Sequence, residues 1–162
     1  MSYITKEMSY IHHIREQPLE LIETWRHYKS FVGKDKWRQY GDDIQFRTVG
    51  RGTASEWWQD FEERYNLPER NREPQFVRFG PKSSVPIHRD PESLAWIAVT
   101  VIGEQPIEFY DMNKEKLYET KYSFALVNSK QPHFCDVKGK ERVLFRKIYT
   151  ETSYDTLFQL LN

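Results

Sequence analysis

The strongest constraint on the fold of this chain is a series of short extended segments that begins after Pro74. Apolar residues recur in these segments, and Gly or Pro residues such as Gly80, Gly103 and Gly139 separate one from the next. The predicted segments span about 75–79, 84–90, 94–102, 106–112, 116–121, 123–128, 132–137 and 141–150. Regularly spaced short strands indicate a sandwich or a barrel, and eight of them favour a jelly roll.

Apolar residues at helical spacing predict two helices in the first half of the chain and one at its end. One helix should begin near Pro18 and end at Gly33, a second should follow Thr53, and a third should cover 151–162. The apolar residues at helical spacing are Leu21, Trp25, Tyr28 and Val32 in the first, Trp57, Phe61 and Tyr65 in the second, and Tyr154, Leu157, Phe158 and Leu161 in the third. Between the first two helices, alternation of apolar and polar residues at 44–47 predicts a strand.

We therefore expect one domain that spans 1–162. Its fold class is mainly β with flanking helices (α+β): a double-stranded β-helix, or cupin-like jelly roll, with an eight-stranded core at 74–150. Residues 1–73 should pack on one outer sheet of the barrel, and 151–162 should form a C-terminal helix. A chain of 162 residues is long enough to bury most of its apolar surface in such a core.

Two histidines and one aspartate stand at positions that suggest a metal site. His88 and Asp90 close the second predicted strand, and His133 begins the seventh. Side chains alternate along a strand, so His88 and Asp90 share one face. The second and seventh strands of a jelly roll are neighbours, so the three side chains should converge at the barrel mouth. Two imidazoles and one carboxylate can hold Fe(II) on one face and leave the other face open for substrate and O₂.

A fixed cation is predicted near this site. Arg142 follows His133 by nine residues and lies on the eighth predicted strand, beside the seventh if the two pair antiparallel. From there it should reach deeper into the barrel than His133 and bind a carboxylate of an organic acid. Arg146 shares the strand face of Arg142 but is the second choice for this carboxylate contact, because its greater distance from His133 should take it too far along the strand.

Each of these residues also has an ordinary structural interpretation. His88 and His133 can be plain strand or loop histidines, and Asp90 can be a turn former before a proline. Arg142 can be a surface residue that pairs with a nearby acid. The acids close to it in sequence are Glu141 and Asp136. The joint order of the four residues along predicted strands favours the metal site over these alternatives.

Composition argues against some classes of function. The chain carries 24 basic and 24 acidic side chains, whereas nucleic-acid binders are typically basic. No apolar run approaches the length of a membrane span, and no signal-peptide pattern is present. The one cysteine, Cys135, has no partner for an internal disulfide, which is typical of a reducing compartment. We expect a cytoplasmic protein that binds neither membrane nor nucleic acid.

The motifs resemble those of the Fe(II)- and 2-oxoglutarate-dependent oxygenases. The resemblance is carried by Phe79-Gly-Pro-Lys-Ser-Ser-Val-Pro-Ile-His-Arg-Asp90, by Pro132-His133 and by Gly139-Lys-Glu-Arg142. It covers about residues 75–150, and two branches come closest: the small aspartyl/asparaginyl β-hydroxylase-like and prolyl-hydroxylase-like proteins. The first branch commonly lacks the carboxylate ligand, whereas Asp90 is present here.

The resemblance implies a role for each residue. His88, Asp90 and His133 would ligate Fe(II), and Arg142 would pair with the distal carboxylate of the cosubstrate 2-oxoglutarate. The family often has a hydroxyl two positions after this arginine, where Leu144 stands here, so a second contact must come from elsewhere. The candidates are Thr100 on the third predicted strand and Tyr110 on the fourth, with Thr100 preferred.

The implied activity is hydroxylation of a peptide or protein residue, or of a small molecule, with O₂ as the oxidant. Two alternatives stay open: a cupin-like metalloenzyme that does not use 2-oxoglutarate, and a non-catalytic jelly-roll module that binds a peptide or glycan. Replacement of Arg142 should abolish 2-oxoglutarate binding if the protein is an oxygenase, and should have no such effect under either alternative. Metal binding separates both enzymes from the binding module.

Overall fold

A computed structural model describes residues 5–28, 37–39, 43–83, 85–135 and 139–162. Within these ranges the helices are α1 (Leu19–Tyr28), α2 (Thr53–Arg64) and α3 (Tyr154–Leu161), with a short 3₁₀ helix at Glu7–Ser9. The strands are β1 (Ile11–His13), β2 (Arg38–Gln39), β3 (Ile44–Thr48), β4 (Gln75–Phe79), β5 (Ala95–Ile102), β6 (Pro106–Tyr110), β7 (Lys116–Lys121), β8 (Phe124–Val127), β9 (His133–Phe134) and β10 (Arg142–Tyr149). No helix in the described part of the chain is both long and apolar enough to cross a membrane.

The strands form two antiparallel sheets. The larger sheet has the order β1-β8-β5-β10-β4-β3-β2, and the smaller sheet has the order β7-β6-β9. Apolar residues of both sheets, such as Trp96 of β5 and Phe109 of β6, belong to one buried cluster between them. Two antiparallel sheets packed in this way form a jelly roll, so the predicted fold class is confirmed.

Seven of the predicted extended segments contain strands, and one does not. The segment predicted at 84–90, of which residue 84 lies outside the described residues, contributes only an isolated bridge between His88 and His133. Pro86 lacks an amide hydrogen and cannot donate to a continuous ladder. The seventh and eighth predicted segments, which contain β9 and β10, do not pair with each other, because β10 lies between β4 and β5.

The first half of the chain contributes to the larger sheet as well as to the layer outside it. β1 extends one edge of that sheet, and β3 and β2 extend the other. Trp58 and Phe61 of α2 are fully buried against the outer face. There the ring centroid of Trp58 lies 5.4 Å from that of Phe145 of β10. Two positions of the predicted first helix, Val32 and Gly33, lie outside the described residues.

Alternation along β10 divides its side chains between two layers. Val143 and Phe145 belong to the cluster shared with the helices, whereas Arg142, Leu144 and Arg146 line the barrel interior. Successive side chains of a strand point to opposite faces, so every second residue of β10 reaches the interior. This alternation places two arginines inside the barrel.

Candidate metal centre and cavity

The side chains of His88, Asp90 and His133 meet at one end of the barrel. One ligand atom from each lies within 4.8 Å of the other two. Nε2 of His88 is 3.1 Å from Oδ1 of Asp90, and Nε2 of His133 is 3.7 Å from the same oxygen. The fold therefore brings together the three residues that the sequence nominates as metal ligands.

Backbone hydrogen bonds hold the two chain segments in this register. The N–H of His88 donates to the carbonyl of His133 at 3.0 Å, and the N–H of His133 donates to the carbonyl of His88 at 2.9 Å. Two residues further on, the N–H of Asp90 donates to the carbonyl of Ser129 at 3.1 Å. The three side chains thus project from two backbone segments that are tied to each other.

The orientation of both imidazole rings follows from their second nitrogen. Nδ1 of His88 lies 2.8 Å from the carbonyl oxygen of Pro86, and Nδ1 of His133 lies 2.8 Å from that of Gln131. A carbonyl oxygen only accepts, so each Nδ1 carries the hydrogen of the neutral ring. In the neutral ring each Nε2 then carries the lone pair that a metal bound beside Asp90 would accept, which is how metal-bound histidines are held in proteins.

The pKa values of these groups add an electrostatic argument. Burial lowers the pKa of His133, whereas the hydrogen bond that a protonated His88 donates from Nε2 to Asp90 raises the pKa of His88. Burial acts to raise the pKa of Asp90, but the contacts with His88 and the charges around it outweigh burial and hold that pKa low. A neutral His133 and an ionised Asp90 then direct lone pairs at each other, an arrangement that a shared cation stabilises.

The donor set fits Fe(II). Two imidazole nitrogens and one carboxylate oxygen form the non-haem iron triad that leaves coordination positions open. A structural zinc site uses four protein ligands. Among the described residues, no further His, Cys, Asp or Glu joins this cluster.

A cavity of about 590 Å³ continues from the three candidate ligands into the barrel. Its wall includes Trp96, whose ring centroid lies 6.3 Å from that of His133, and then Leu144, Gln105 and Arg142. Small-molecule sites occupy roughly 300–1,000 Å³. The cavity is therefore large enough for a small organic ligand.

Arg142 is buried at the wall of this cavity. Its Nη1 donates to Oε1 of Gln105 at 3.2 Å, its Nη2 donates to the carbonyl of Cys135 at 3.4 Å, and its guanidinium lies 4.5 Å from the ring centre of Phe79. Two neighbouring donors, Nε of Arg142 and Nε2 of Gln105, are buried without a hydrogen-bond partner. Unpaired buried donors are costly, so this pair fits an anionic acceptor such as a carboxylate.

The surface interpretation of Arg142 is not supported. Arg142 is 2% exposed, and Glu141, one of the acids considered as its partner, pairs with Arg78 at 2.8 Å. The other acid, Asp136, lies outside the described residues.

Arg146 lies near the candidate ligands, and the expectation that it sits too far along the strand is wrong. Its charge interacts with Asp90, His88 and His133. Trp96, whose ring lies near that of His133, is the register partner of Ile148 on β10, so the step from Arg142 to Arg146 leads towards the metal end of the barrel.

The positions of Thr100 and Tyr110 do not support their predicted cosubstrate contact. Neither residue lines the cavity. The hydroxyl of Thr100 donates to the carbonyl of Tyr122 at 2.7 Å, and that of Tyr110 donates to Oε2 of Glu108 at 2.5 Å. Both hydroxyls are therefore engaged away from the site.

Sequence reasoning missed Gln105 and Tyr122, which both line the cavity. Gln105 follows the turn after β5, where Gly103 has a φ of +81° and an added Cβ would lie 2.8 Å from the carbonyl of Glu141. Only glycine adopts this turn without strain. Both residues lie between strands, where no alternation pattern predicts the direction of a side chain.

No protein-family model matches the sequence, and no curated protein is significantly similar to it. Among solved structures, a prolyl-4-hydroxylase from Pseudomonas putida superposes with a TM-score of 0.65 at 11% identity, over 87% of this chain and 91% of that chain. A structure described as a "Putative oxygenase" from Shewanella oneidensis superposes with a TM-score of 0.55 at 9% identity, over 92% of this chain and 87% of that chain. At such identities the likeness concerns the fold. The chain shares the jelly-roll fold of these structures.

Proposed function

We propose that this protein is an Fe(II)- and 2-oxoglutarate-dependent oxygenase that hydroxylates a peptide or protein residue, or a small molecule. The observation that carries the proposal is one cavity with two kinds of site. His88, Asp90 and His133 converge at one end, and the unpartnered donors of Arg142 and Gln105 lie further inside. 2-Oxoglutarate has matching ends, since its keto acid chelates a metal and its distal carboxylate accepts hydrogen bonds.

The metal end would be formed by three side chains with fixed orientation. His88 and His133 would donate their Nε2 lone pairs, and Asp90 its carboxylate. The carbonyls of Pro86 and Gln131 hold the Nδ1 hydrogens and so keep both rings turned towards the metal. With Fe(II) and 2-oxoglutarate bound, the site would supply oxidation by O₂, with one oxygen atom entering the product, one entering succinate, and CO₂ released.

The anion end would be formed by Arg142 and Gln105. The distal carboxylate would accept from Nε of Arg142 and Nε2 of Gln105, which are otherwise unpaired. The contacts of Arg142 with Phe79 and with the carbonyl of Cys135 hold the guanidinium before the ligand arrives. Binding then requires little reorganisation of the side chain.

The test is succinate formation from 2-oxoglutarate by the purified protein with Fe(II), ascorbate and O₂. We expect slow turnover without a prime substrate, and its loss in Arg142→Met. Arg64→Met is the matched control, because Arg64 is a half-exposed surface arginine paired with Glu16. It should turn over at the wild-type rate.

Binding measurements separate the alternatives. An oxygenase should show a thermal shift with Mn(II) and a further shift when 2-oxoglutarate is added. A metal shift without a 2-oxoglutarate shift would identify a metalloenzyme of the cupin kind. No metal shift at all would favour a non-catalytic binding module.

A further inference from the structure

A second arginine lines the cavity, and no hydrogen-bond or ion-pair partner for it occurs in the described part of the chain. Nε of Arg146 is buried without a hydrogen-bond partner. No carboxylate oxygen of a described residue lies within 4.0 Å of its guanidinium nitrogens, the distance that defines an ion pair. Leu144 separates Arg146 from Arg142 on the same face of β10. At about 3.3 Å per residue the two Cα atoms are roughly 13 Å apart. A carboxylate bound by Arg142 is therefore not also bound by Arg146.

The amide side chain of Gln75 stands next to Arg146. Gln75 of β4 is its register partner across the sheet, and both residues line the cavity. Directly opposite residues on one face have Cβ atoms about 4.5–5.5 Å apart, within reach of a shared ligand. Arg146 and Gln75 therefore repeat, nearer the candidate metal ligands, the combination of guanidinium and amide that Arg142 and Gln105 form.

The charged groups among the described lining residues leave one cation unbalanced. At the rim, Arg72 and Glu92 cancel each other formally. Inside, a divalent metal, the carboxylate of Asp90 and two guanidinium groups carry a net charge of plus three. The two negative charges of 2-oxoglutarate reduce this to plus one, and Asp90 is already engaged by the metal. A buried unbalanced charge is unfavourable, so a further anion should accompany the prime substrate.

We propose that Arg146, with Gln75 beside it, binds a carboxylate of the prime substrate, and that the substrate is therefore an organic acid or an acidic residue of a peptide. This inference rests on the proposed oxygenase function, because it assigns Arg142 to the cosubstrate. Phe46, Val77 and Leu144, which are register neighbours across β3, β4 and β10, give the substrate an apolar wall next to the cation.

The test is a binding experiment on the protein loaded with Mn(II) and saturated with 2-oxoglutarate, so that the Arg142 end is occupied. The probes are short aliphatic monocarboxylates, N-acetylaspartyl amide and N-acetylglutamyl amide, each paired with its uncharged carboxamide. Equilibrium dialysis with mass spectrometry measures the affinity of each pair. The aliphatic acids report a free organic acid as the source of the carboxylate, and the acetylated amides report a peptide residue.

We expect at least one acid to bind about tenfold or more tightly than its carboxamide, as a hydrogen-bonded charge pair would produce. Arg146→Met should remove this preference and keep 2-oxoglutarate binding, and Arg146→Lys should retain part of the preference. Arg64→Met should match the wild type.

Two results would overturn the assignment. One is the absence of any preference for acids over carboxamides in the wild type. The other is loss of 2-oxoglutarate binding in Arg146→Met with binding kept in Arg142→Met, which would make Arg146 the cosubstrate anchor. If the wild type binds no 2-oxoglutarate with Mn(II), the proposed function itself fails, and this is seen before any probe is added.

Discussion

His88 and His133 exchange backbone hydrogen bonds across a single isolated bridge, and their ring centroids lie 4.5 Å apart. This bridge joins the segment that carries His88 and Asp90 to β9. Because the segment forms no continuous ladder, a metal ion held by both histidines would add a further link between the segment and β9.

Metal binding should therefore stabilise the fold measurably. Addition of Mn(II) at a hundred times its dissociation constant is expected to raise the free energy of unfolding by about 2.7 kcal/mol. Thermal denaturation with and without chelator measures the effect. The double variant His88→Ala, His133→Ala should lose it, whereas variant His13→Ala, at an exposed histidine of β1, should keep it. A metal-dependent shift that persists in the double variant would place the metal elsewhere.

Gln105 should act in cosubstrate binding. Replacement by Leu removes the buried Nε2 donor and the Oε1 acceptor of the hydrogen bond that Nη1 of Arg142 donates. We expect the KM for 2-oxoglutarate to rise about tenfold with little change in kcat, because the lost contact is made equally in the ground and transition states. Steady-state succinate assays measure both constants. Gln59→Leu on α2 is the control, and an unchanged KM in Gln105→Leu would contradict the assignment.

Thr100 should matter for stability alone. Its hydroxyl donates to the carbonyl of Tyr122, and Thr100→Val removes that hydrogen bond. The expected cost is about 1 kcal/mol in the free energy of unfolding, with no change in the KM for 2-oxoglutarate. Urea denaturation and succinate assays on the same variant measure the two quantities. A raised KM would restore Thr100 as the second cosubstrate contact.

A buried ion pair under the helices should be sensitive to the loss of one partner. Nζ of Lys147 lies 2.6 Å from Oε2 of Glu62, and both side chains are almost fully buried. Lys147→Met leaves the Glu62 carboxylate unpaired and is expected to cost about 3–5 kcal/mol. The double variant Lys147→Met, Glu62→Leu should recover most of this loss. Urea denaturation of the two single variants, Lys147→Met and Glu62→Leu, and of the double variant tests the coupling, and additive losses would contradict it.

Asp43 should make stability depend on acidity. The hydrogen bond from the N–H of Lys82, together with Arg78, lowers the pKa of Asp43 below its ordinary 3.8. A carboxyl whose folded pKa is lowered stabilises the fold above its ordinary pKa, and this contribution disappears as the pH falls through the folded value.

Asp43→Asn is a suitable variant because asparagine tolerates the positive φ of 59° at this position. The wild type should exceed it in stability above about pH 5 and lose that advantage as the pH falls below 3.8. Urea denaturation across this range measures the difference. A difference that stays constant down to pH 3 would contradict the assignment.

Local patterns in the chain were sufficient to predict the strand positions and the candidate ligands. Alternation and turn residues locate most strands within a few positions, and the period of two puts Arg142 and Arg146 on one face. The spacing of His88 and Asp90, with His133 on a strand that neighbours theirs in a jelly roll, was enough to nominate a metal site. These features depend on neighbours in sequence or on a well-defined topology.

The distances inside the barrel depended on long-range pairing that the sequence does not encode locally. β10 inserts between β4 and β5, in a register that places Arg146 near the candidate ligands rather than away from them. Gln105 and Tyr122 enter the cavity from positions between strands, while Thr100 turns its hydroxyl to a backbone carbonyl. Which side chains meet across two sheets is decided by how the strands are ordered and packed, because periodicity specifies a face and not the partner opposite it.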